Sequence, residues 1–375
     1  MTEWLVIAGD FTPLGGMDRA NHALAMHLSR GDGAVVHIVA HRVWSDLEDR
    51  PAVHVHPVRR PFGSHWLGSP FLAAAGEGAA RRLRPNHVIA NGGNADTGDV
   101  TWIHYLHAAH VPQSHGLRRR LQTAASHRYY LRRERTALRR ARLVLCNSER
   151  TALDVRDRLG IEPGRTRVVY YGSDGAQFPR VSGPERAELK RALGWPGDRP
   201  VALFVGALGD RRKGFDRLLE AWVLLCRDPG WDVDLAVTGQ GAELPDWRRR
   251  VAALGVERRV RFLGFRTDIP RVIGASDVMV HPARYEAYGL GVHEAICCGV
   301  PAIVSARAGI AELYPSGLAD LLIADVEDPR GIAGRLSDWR KDIEGVATRI
   351  RPLSDRLRAR TWSDMGAEIE QAITA

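Results

Sequence analysis

The chain is 375 residues long, 45% hydrophobic and 26% charged, with a net charge of +9 at pH 7. This is a globular composition, the length suits two α/β domains better than one core, and no run reaches the ~18 consecutive apolar residues of a membrane span. The four cysteines, Cys146, Cys226, Cys297 and Cys298, suggest no disulfide framework, since adjacent cysteines bridge poorly, and a reduced, cytoplasmic setting is expected.

The N-terminus, MTEWLVIAGDF, lacks a basic stretch followed by a long apolar run, so no signal peptide is expected. WLVIA (4–8) predicts a first strand, and Gly15-Gly16 opens a helix to about Ser29. VVHIVA, VHVHPV, HVIAN and DVTWIHY predict further strands, with Gly92-Gly93 making a turn after the third of these. Next comes LRRRLQTAASHRYYLRRERTALRRARL (117–143), a long helix with ten arginines against one acid, Glu134. Such a run is either a solvated face or the mark of a phosphate-bearing partner: nucleotide, lipid headgroup or nucleic acid. A strand (RLVLCN), a helix from Ser148 to about Leu159 and the strand RVVYYG complete this half.

Gly172 to Pro200 is rich in Gly, Pro and charge and reads as a linker. The pattern then restarts: VALFVGA, a helix from Gly214 to Cys226, VDLAVTG, RVRFLGF, DVMVHP, a helix from Gly289 to Cys298, PAIVS and DLLIAD. Strand and helix in alternation predict parallel sheets covered on both faces. The expected organisation is a domain over 1–180, a second over 181–355, and a C-terminal helix over 356–375 packing back on the first.

Four places carry candidate chemistry. Arg211, Arg212 and Lys213 stand just before the helix that begins at Gly214, where free N–H groups and fixed cations would hold a diphosphate. In RYEAYGLGVHEAICCGVPAIVS (284–305), Gly289-Leu290-Gly291 separates Glu286, expected in the loop, from Glu294, expected in the helix. Ionised carboxylates accept hydrogen bonds and so suit sugar hydroxyls, while the N–H groups of Gly289 and Leu290 suit an anion. His104, His107 and His110 in WIHYLHAAH do not make a helical i, i+4 pair, and no cysteine or carboxylate lies nearby in sequence, which argues against zinc. Gly15-Gly16 permits close approach of backbone to a ligand, or simply a tight turn. Asp232-Val233-Asp234 looks like a metal-binding pair but reads as a strand entry.

Taken together these segments resemble the retaining glycosyltransferases of family 4, of the group 1 type. The motifs are Glu286-x7-Glu294 with Ala295, Gly299 and Pro301, the Arg-Lys-Gly ending at Gly214, VLCNSERTALDVRDRLGI (144–161), VVYYGSD (168–174) and GGMDRANHALAMHL (15–28). The resemblance implies an α/β fold of GT-B architecture, two Rossmann-like domains with parallel sheets facing across a cleft. It implies sugar transfer from a nucleotide-diphosphate sugar, UDP- or GDP-linked, to a hydroxyl of a sugar, lipid or small molecule, with retention and no essential metal or cofactor. Lys213, helped by Arg211 or Arg212, would hold the diphosphate, Gly16 would close on it, and Glu294 would bond the ribose. Glu286 and His104 would meet the transferred sugar, His107 the acceptor side, and Gly264-Phe265 the base. One departure is Ala207, where the family often has an arginine; another is Tyr288 in Glu-Ala-Tyr-Gly. The competing expectations are an epimerase or phosphorylase on the same fold, or a basic phosphate- or nucleic-acid-binding protein. The glutamates argue against nucleic acid, and contact of the basic helix with an anionic membrane is a further expectation.

Overall fold

Short runs rich in Val, Ile and Leu alternate with helices along the whole chain, and each such run becomes a parallel strand. The computed structural model describes residues 2–113, 117–209 and 211–375. In the first unit the strands are β1 (Glu3–Ile7), β2 (Val35–Ala40), β3 (Val53–Pro57), β4 (His87–Asn91), β5 (Val100–Ile103), β6 (Leu143–Cys146) and β7 (Thr166–Val168). They lie in the order β3-β2-β1-β4-β5-β6-β7, all parallel. Helices α1 (Met17–Leu28), α2 (His65–Leu83), α3 (Leu117–Arg140) and α4 (Glu149–Leu159) connect them. Leu5, Ile7, Val39 and Ala90 from the strands pack with Leu72 and Ala79 of α2 in the core.

The second unit repeats the plan. After α5 (Gly183–Ala192) come β8 (Val201–Val205), α6 (Phe215–Leu225), β9 (Asp234–Thr238), α7 (Leu244–Ala253), β10 (Val260–Gly264), β11 (Val278–His281), α8 (Leu290–Cys297), β12 (Ala302–Ser305) and β13 (Leu322–Ile323). The sheet order is β10-β9-β8-β11-β12-β13. In both sheets the chain starts in the middle, winds to one edge, then returns to the middle and winds to the other. The point of reversal, β1/β4 in one and β8/β11 in the other, leaves a crevice at the strands' carboxyl ends, where open α/β sheets take their ligands.

Three expectations need correction. The supposed linker holds α5, which Ser182 and Glu185 start with a reciprocal capping box and Pro184 in the first turn. The stretch Phe62 to Phe71, expected as loop, is mostly the start of α2, whose N-cap Ser64 accepts from the Leu67 N–H at 3.4 Å. RVVYYG is strand only to Val168.

The chain passes from the first unit to the second at Gly172–Ser173, and the first unit takes back Arg360–Ala375. Its last helix, α9 (Trp362–Thr374), lies on α1, with His27 Nε2 3.0 Å from Glu370 Oε2. The contact is close: a Cβ on Gly366 would stand 2.5 Å from the His27 ring. No helix among the described residues is long and apolar enough to cross a membrane.

Candidate active site

At the reversal point of the second sheet, the loop after β8 meets the segment after β11. Gly214, the N-cap of α6 with φ 76°, lies so close to Pro282 that a Cβ would stand 2.0 Å from its carbonyl oxygen. Only glycine allows both that φ and that approach. Arg284 then ties the loop down. Its guanidinium grips Asp216 with two bonds of 2.7 and 2.8 Å and donates to the Arg211 carbonyl at 2.6 Å. Its backbone N–H donates to the Arg212 carbonyl at 2.8 Å.

The loop's cations converge on Glu286. Lys213 Nζ donates to Glu286 Oε2, Arg212 Nη1 stands 3.5 Å from the same oxygen, and His281 Nε2 lies 3.1 Å from it. Burial pushes the Glu286 carboxyl up, but Lys213, His281 and Arg212 outweigh it and hold the group well below the usual carboxylate range. Burial lowers His281 despite its bond to Glu286, so the neutral ring must donate Nε2–H to an acceptor that is ionised. The result is one largely buried carboxylate fixing two cations at the mouth of α6.

Arg212 is therefore the cation beside Lys213, with a further bond of 3.1 Å to the Tyr285 carbonyl. Arg211 turns the other way, 3.5 Å from Glu243 and over the Trp247 ring at 5.5 Å. Ala207 is exposed. Gly289, φ 112°, caps α8, so Leu290 opens the helix, Glu286 precedes it and buried Glu294 lies within it. The first N–H groups of such a helix have no acceptor inside it. Tyr288 points inward and its hydroxyl bonds His293 Nδ1 at 2.7 Å. Gly264 ends β10 with its carbonyl already accepting from Gly239 N–H (2.9 Å) and Thr238 Oγ1 (3.0 Å), and the Phe265 ring beside it is 63% exposed. Cys297 and Cys298 are fully buried, their thiols pushed up to about 11 and about 12 by burial, as packing residues would be. Asp232 is taken by Arg340 in two bonds of 2.7 and 2.6 Å, in keeping with a strand entry.

At the reversal point of the first sheet lies a cavity of about 340 Å³, lined among others by Asp18, Asn91, Trp102, His104, His107 and Glu134. Gly16 is the N-cap of α1 beside it, and Gly15 carries the positive φ of 85°. His104 Nδ1 bonds the Tyr171 hydroxyl, and burial pushes this ring down to about 3, so it is neutral at physiological pH. His107 stacks on Tyr130 with centroids 5.0 Å apart and is pushed down to about 4 by burial, with His127 adding to it. Asn91 Oδ1, Trp102 Nε1, His104 Nε2 and His107 Nδ1 are buried and make no hydrogen bond among the described residues. Buried polar atoms of this kind ask for a polar ligand or water. Asp18 is raised to about 6 by burial and by Asp10. Glu134 is raised to about 7 by burial, against the two N–H bonds it accepts from His107 (2.7 Å) and Ala108 (3.0 Å). Among the described residues no three His, Cys, Asp or Glu side chains are placed to hold a metal ion.

Sequence reasoning missed Arg284, His281, Asp18 and Trp102. His281 and Trp102 sit on strands next to the reversal points, which is the one signal that points to them. The stretch Ala108 to Gly116, expected on the acceptor side, includes residues 114–116, which lie outside the described residues.

Two doubly wound parallel sheets with these crevices are the GT-B glycosyltransferase fold. The solved structure of WaaG, a glycosyltransferase involved in lipopolysaccharide biosynthesis, superposes with a TM-score of 0.77 at 21% identity, covering all of both chains. That of Anabaena Alr3699/HepE in complex with UDP and glucose gives 0.73 at 21% identity, again over both whole chains. The chain belongs to the group 1 glycosyltransferases: residues 185–350 match the family Glycosyl transferases group 1, and residues 14–176 match Glycosyltransferase Family 4. The lipopolysaccharide core biosynthesis mannosyltransferase LpsB of Rhizobium meliloti is 30% identical over 264 residues, 68% of this chain and 70% of that one. The 2-deoxystreptamine N-acetyl-D-glucosaminyltransferase of Streptomyces fradiae is 33% identical over 229 residues, 60% of this chain; the match spans only 52% of that relative's length.

Proposed function

We propose that the chain transfers a sugar from a nucleoside diphosphate sugar to an acceptor hydroxyl, with retention of configuration and without an essential metal. The observation that carries this is the pair Lys213 and Arg212, fixed by the largely buried Glu286 at the mouth of α6. Two cations and the free N–H groups of a helix start suit a diphosphate leaving group. As the C1–O bond to the diphosphate breaks, negative charge gathers on the leaving oxygen, and prepositioned cations stabilise that state more than the ground state. The acceptor oxygen then bonds to C1 on the same face, and its proton passes to a diphosphate oxygen. In this reading the donor's ribose lies against Glu294, its base near Phe265, and Glu286 accepts from the transferred sugar's hydroxyls as well as orienting Lys213.

The cavity of the first unit supports a hydroxylated acceptor ring, with His104 beside the transferred sugar and His107 on the acceptor side. Its volume is at the low end of the ~300–1,000 Å³ of small-molecule sites. Its orphaned indole N–H, amide oxygen and two imidazole nitrogens offer donors and acceptors for hydroxyls. A thermal-shift panel of UDP-, GDP-, ADP- and TDP-sugars tests the donor, since a ligand that binds only the folded state raises its melting temperature. One family of donors should stabilise the protein, and the product's anomeric configuration should match the donor's. No stabilisation by any nucleoside diphosphate, or an inverted product, would remove the reading. Release of an isomerised sugar without acceptor would favour an epimerase.

A further inference from the structure

The carboxyl ends of β5, β6 and β7 stand side by side, because the register pairs Ile103 with Cys146 and Cys146 with Val168. His104 follows the first of these ends, Asn147 the second, and Tyr171 lies just past the third. Asn147 precedes Ser148, the N-cap of α4, whose hydroxyl accepts from the Thr151 N–H at 3.0 Å. Asn147, Ser148, Thr151 and Tyr171 are all fully or almost fully buried, so their polar atoms need hydrogen-bond partners within the protein.

The bonds among these groups run in one direction. Ser148 Oγ donates to Thr151 Oγ1 at 3.0 Å, and Thr151 Oγ1 donates to Asn147 Oδ1 at 2.9 Å. The other end of that amide, Nδ2, donates to the His104 carbonyl at 3.4 Å and to the Tyr171 hydroxyl at 3.1 Å. A carbonyl only accepts, so the amide nitrogen must face it, and the amide cannot be turned round. The Tyr171 oxygen therefore receives a proton from Asn147 and has its own to give to His104 Nδ1, to which it is bonded. The ring is neutral and carries one proton, and the bond made by one nitrogen decides that the other holds it. That proton sits on Nε2. This atom is buried, belongs to a ring that lines the cavity, and makes no hydrogen bond among the described residues.

We propose that Thr151, Asn147 and Tyr171 are positioning residues for sugar transfer, holding His104 as the Nε2–H tautomer, a fixed hydrogen-bond donor to a sugar oxygen in the cavity. The consequence for the reaction is an exclusion. Nε2 offers no lone pair, so His104 does not take the acceptor hydroxyl's proton, and another base must, the part given above to a diphosphate oxygen. A fixed donor also selects its ligand. The sugar must present an oxygen lone pair at that point, and a group that can only donate, such as an ammonium, is refused there. The identity of that oxygen rests on the transfer reading; the tautomer does not, and is read without any substrate.

The test is nitrogen NMR at pH 7 on the full chain labelled with ¹⁵N at histidine, the His104 signals being those lost in His104→Gln. The parent should show Nε2 protonated and Nδ1 bare. Tyr171→Phe should move the Nδ1 signal toward that of an imidazole nitrogen with no hydrogen bond and bring up the Nδ1–H tautomer. Thr151→Val acts three hydrogen bonds away and should move the same signals the same way by less, while Thr151→Ser, which keeps the hydroxyl, should restore them. A merely structural role for these residues would lower Tm in the variants and leave the His104 signals in place. With a donor selected by the stabilisation panel, kcat/KM for transfer should fall about 2- to 10-fold in Tyr171→Phe, the worth of one neutral hydrogen bond. Should Tyr171→Phe fail to fold, the parent spectrum and the two Thr151 variants still decide. A parent with its proton on Nδ1 or on both nitrogens, or His104 signals that ignore the substitutions, would overturn the proposal. So would a changed tautomer with transfer as fast as the parent's.

Discussion

Lys213→Ala should separate what the Lys213–Glu286 pair does for stability from what it does for catalysis. Glu286 is largely buried, with 14% of its side chain exposed, and is ionised because three donors surround it. Without Lys213 it keeps Arg212 at 3.5 Å and His281 at 3.1 Å. Removing one partner of a buried pair costs about 3–5 kcal/mol, and the two remaining donors place this case at the low end. At about 2–4 °C per kcal/mol for a unit of this size, 3 kcal/mol lowers Tm by ~6–12 °C. Adding Glu286→Gln removes the stranded charge and should restore most of that loss. Activity should behave differently: kcat/KM falls by about two to three orders of magnitude in Lys213→Ala, and Glu286→Gln does not restore it. The pH dependence follows from the sign of the shift. Glu286 titrates below its unfolded value of 4.5, so its stabilisation is fully present above that pH and is lost as pH falls through the folded value. The Tm gap between parent and Lys213→Ala should therefore be constant from neutral pH down to mildly acidic pH and narrow only in stronger acid. Calorimetry and initial rates on the parent, both single variants and the double would check this. A Lys213→Ala protein that melts with the parent, or a double variant no more stable than the single, would refute the argument.

Arg284→Ala should weaken diphosphate binding by roughly 10-fold or more, because the loop carrying Lys213 loses charge-assisted bonds to Asp216 and the Arg211 carbonyl. Arg284→Lys should fail to rescue it, since an ammonium cannot grip a carboxylate with two parallel bonds; calorimetric titration with a nucleoside diphosphate reads both. Glu134, raised to about 7 by burial, favours the fold below its unfolded pKa, and that advantage is lost as pH rises through about 7. Relative to Glu134→Gln, the parent should therefore gain stability on going from pH 8 to pH 5, by on the order of 2–3 kcal/mol in denaturant titrations. Transfer activity should survive a chelator; activity lost to chelation and restored by a divalent ion would contradict a charge supply from Lys213 and Arg212 alone.

Most strands were legible because a buried parallel strand needs an unbroken apolar run, as in VALFV and AIVS, whatever its neighbours are. The split between Glu286 in the loop and Glu294 in the helix was also legible, because the intervening glycines can only be a helix entry. Helix α5 was hidden by Gly, Pro and charge, although Ser182 and Glu185 mark its start. Which arginine joins Lys213 could not be read, since it depends on Glu243 and Trp247, distant in sequence, drawing Arg211 away.

Helix α9 has a consequence for how the protein is made. Met365, Ile369 and Ile373 are wholly or almost wholly buried, and they belong to the unit that precedes the other in the chain. The matching side of α1 stays uncovered until Trp362–Thr374, which follow the whole second unit in sequence, are synthesised. At about 1.5–3 kcal/mol for each large apolar side chain buried, this final docking contributes on the order of 5–9 kcal/mol, comparable to the whole stability of a typical domain. The first unit is thus completed only after the second has been translated, which makes a truncation before Trp362 a lesion of the first unit.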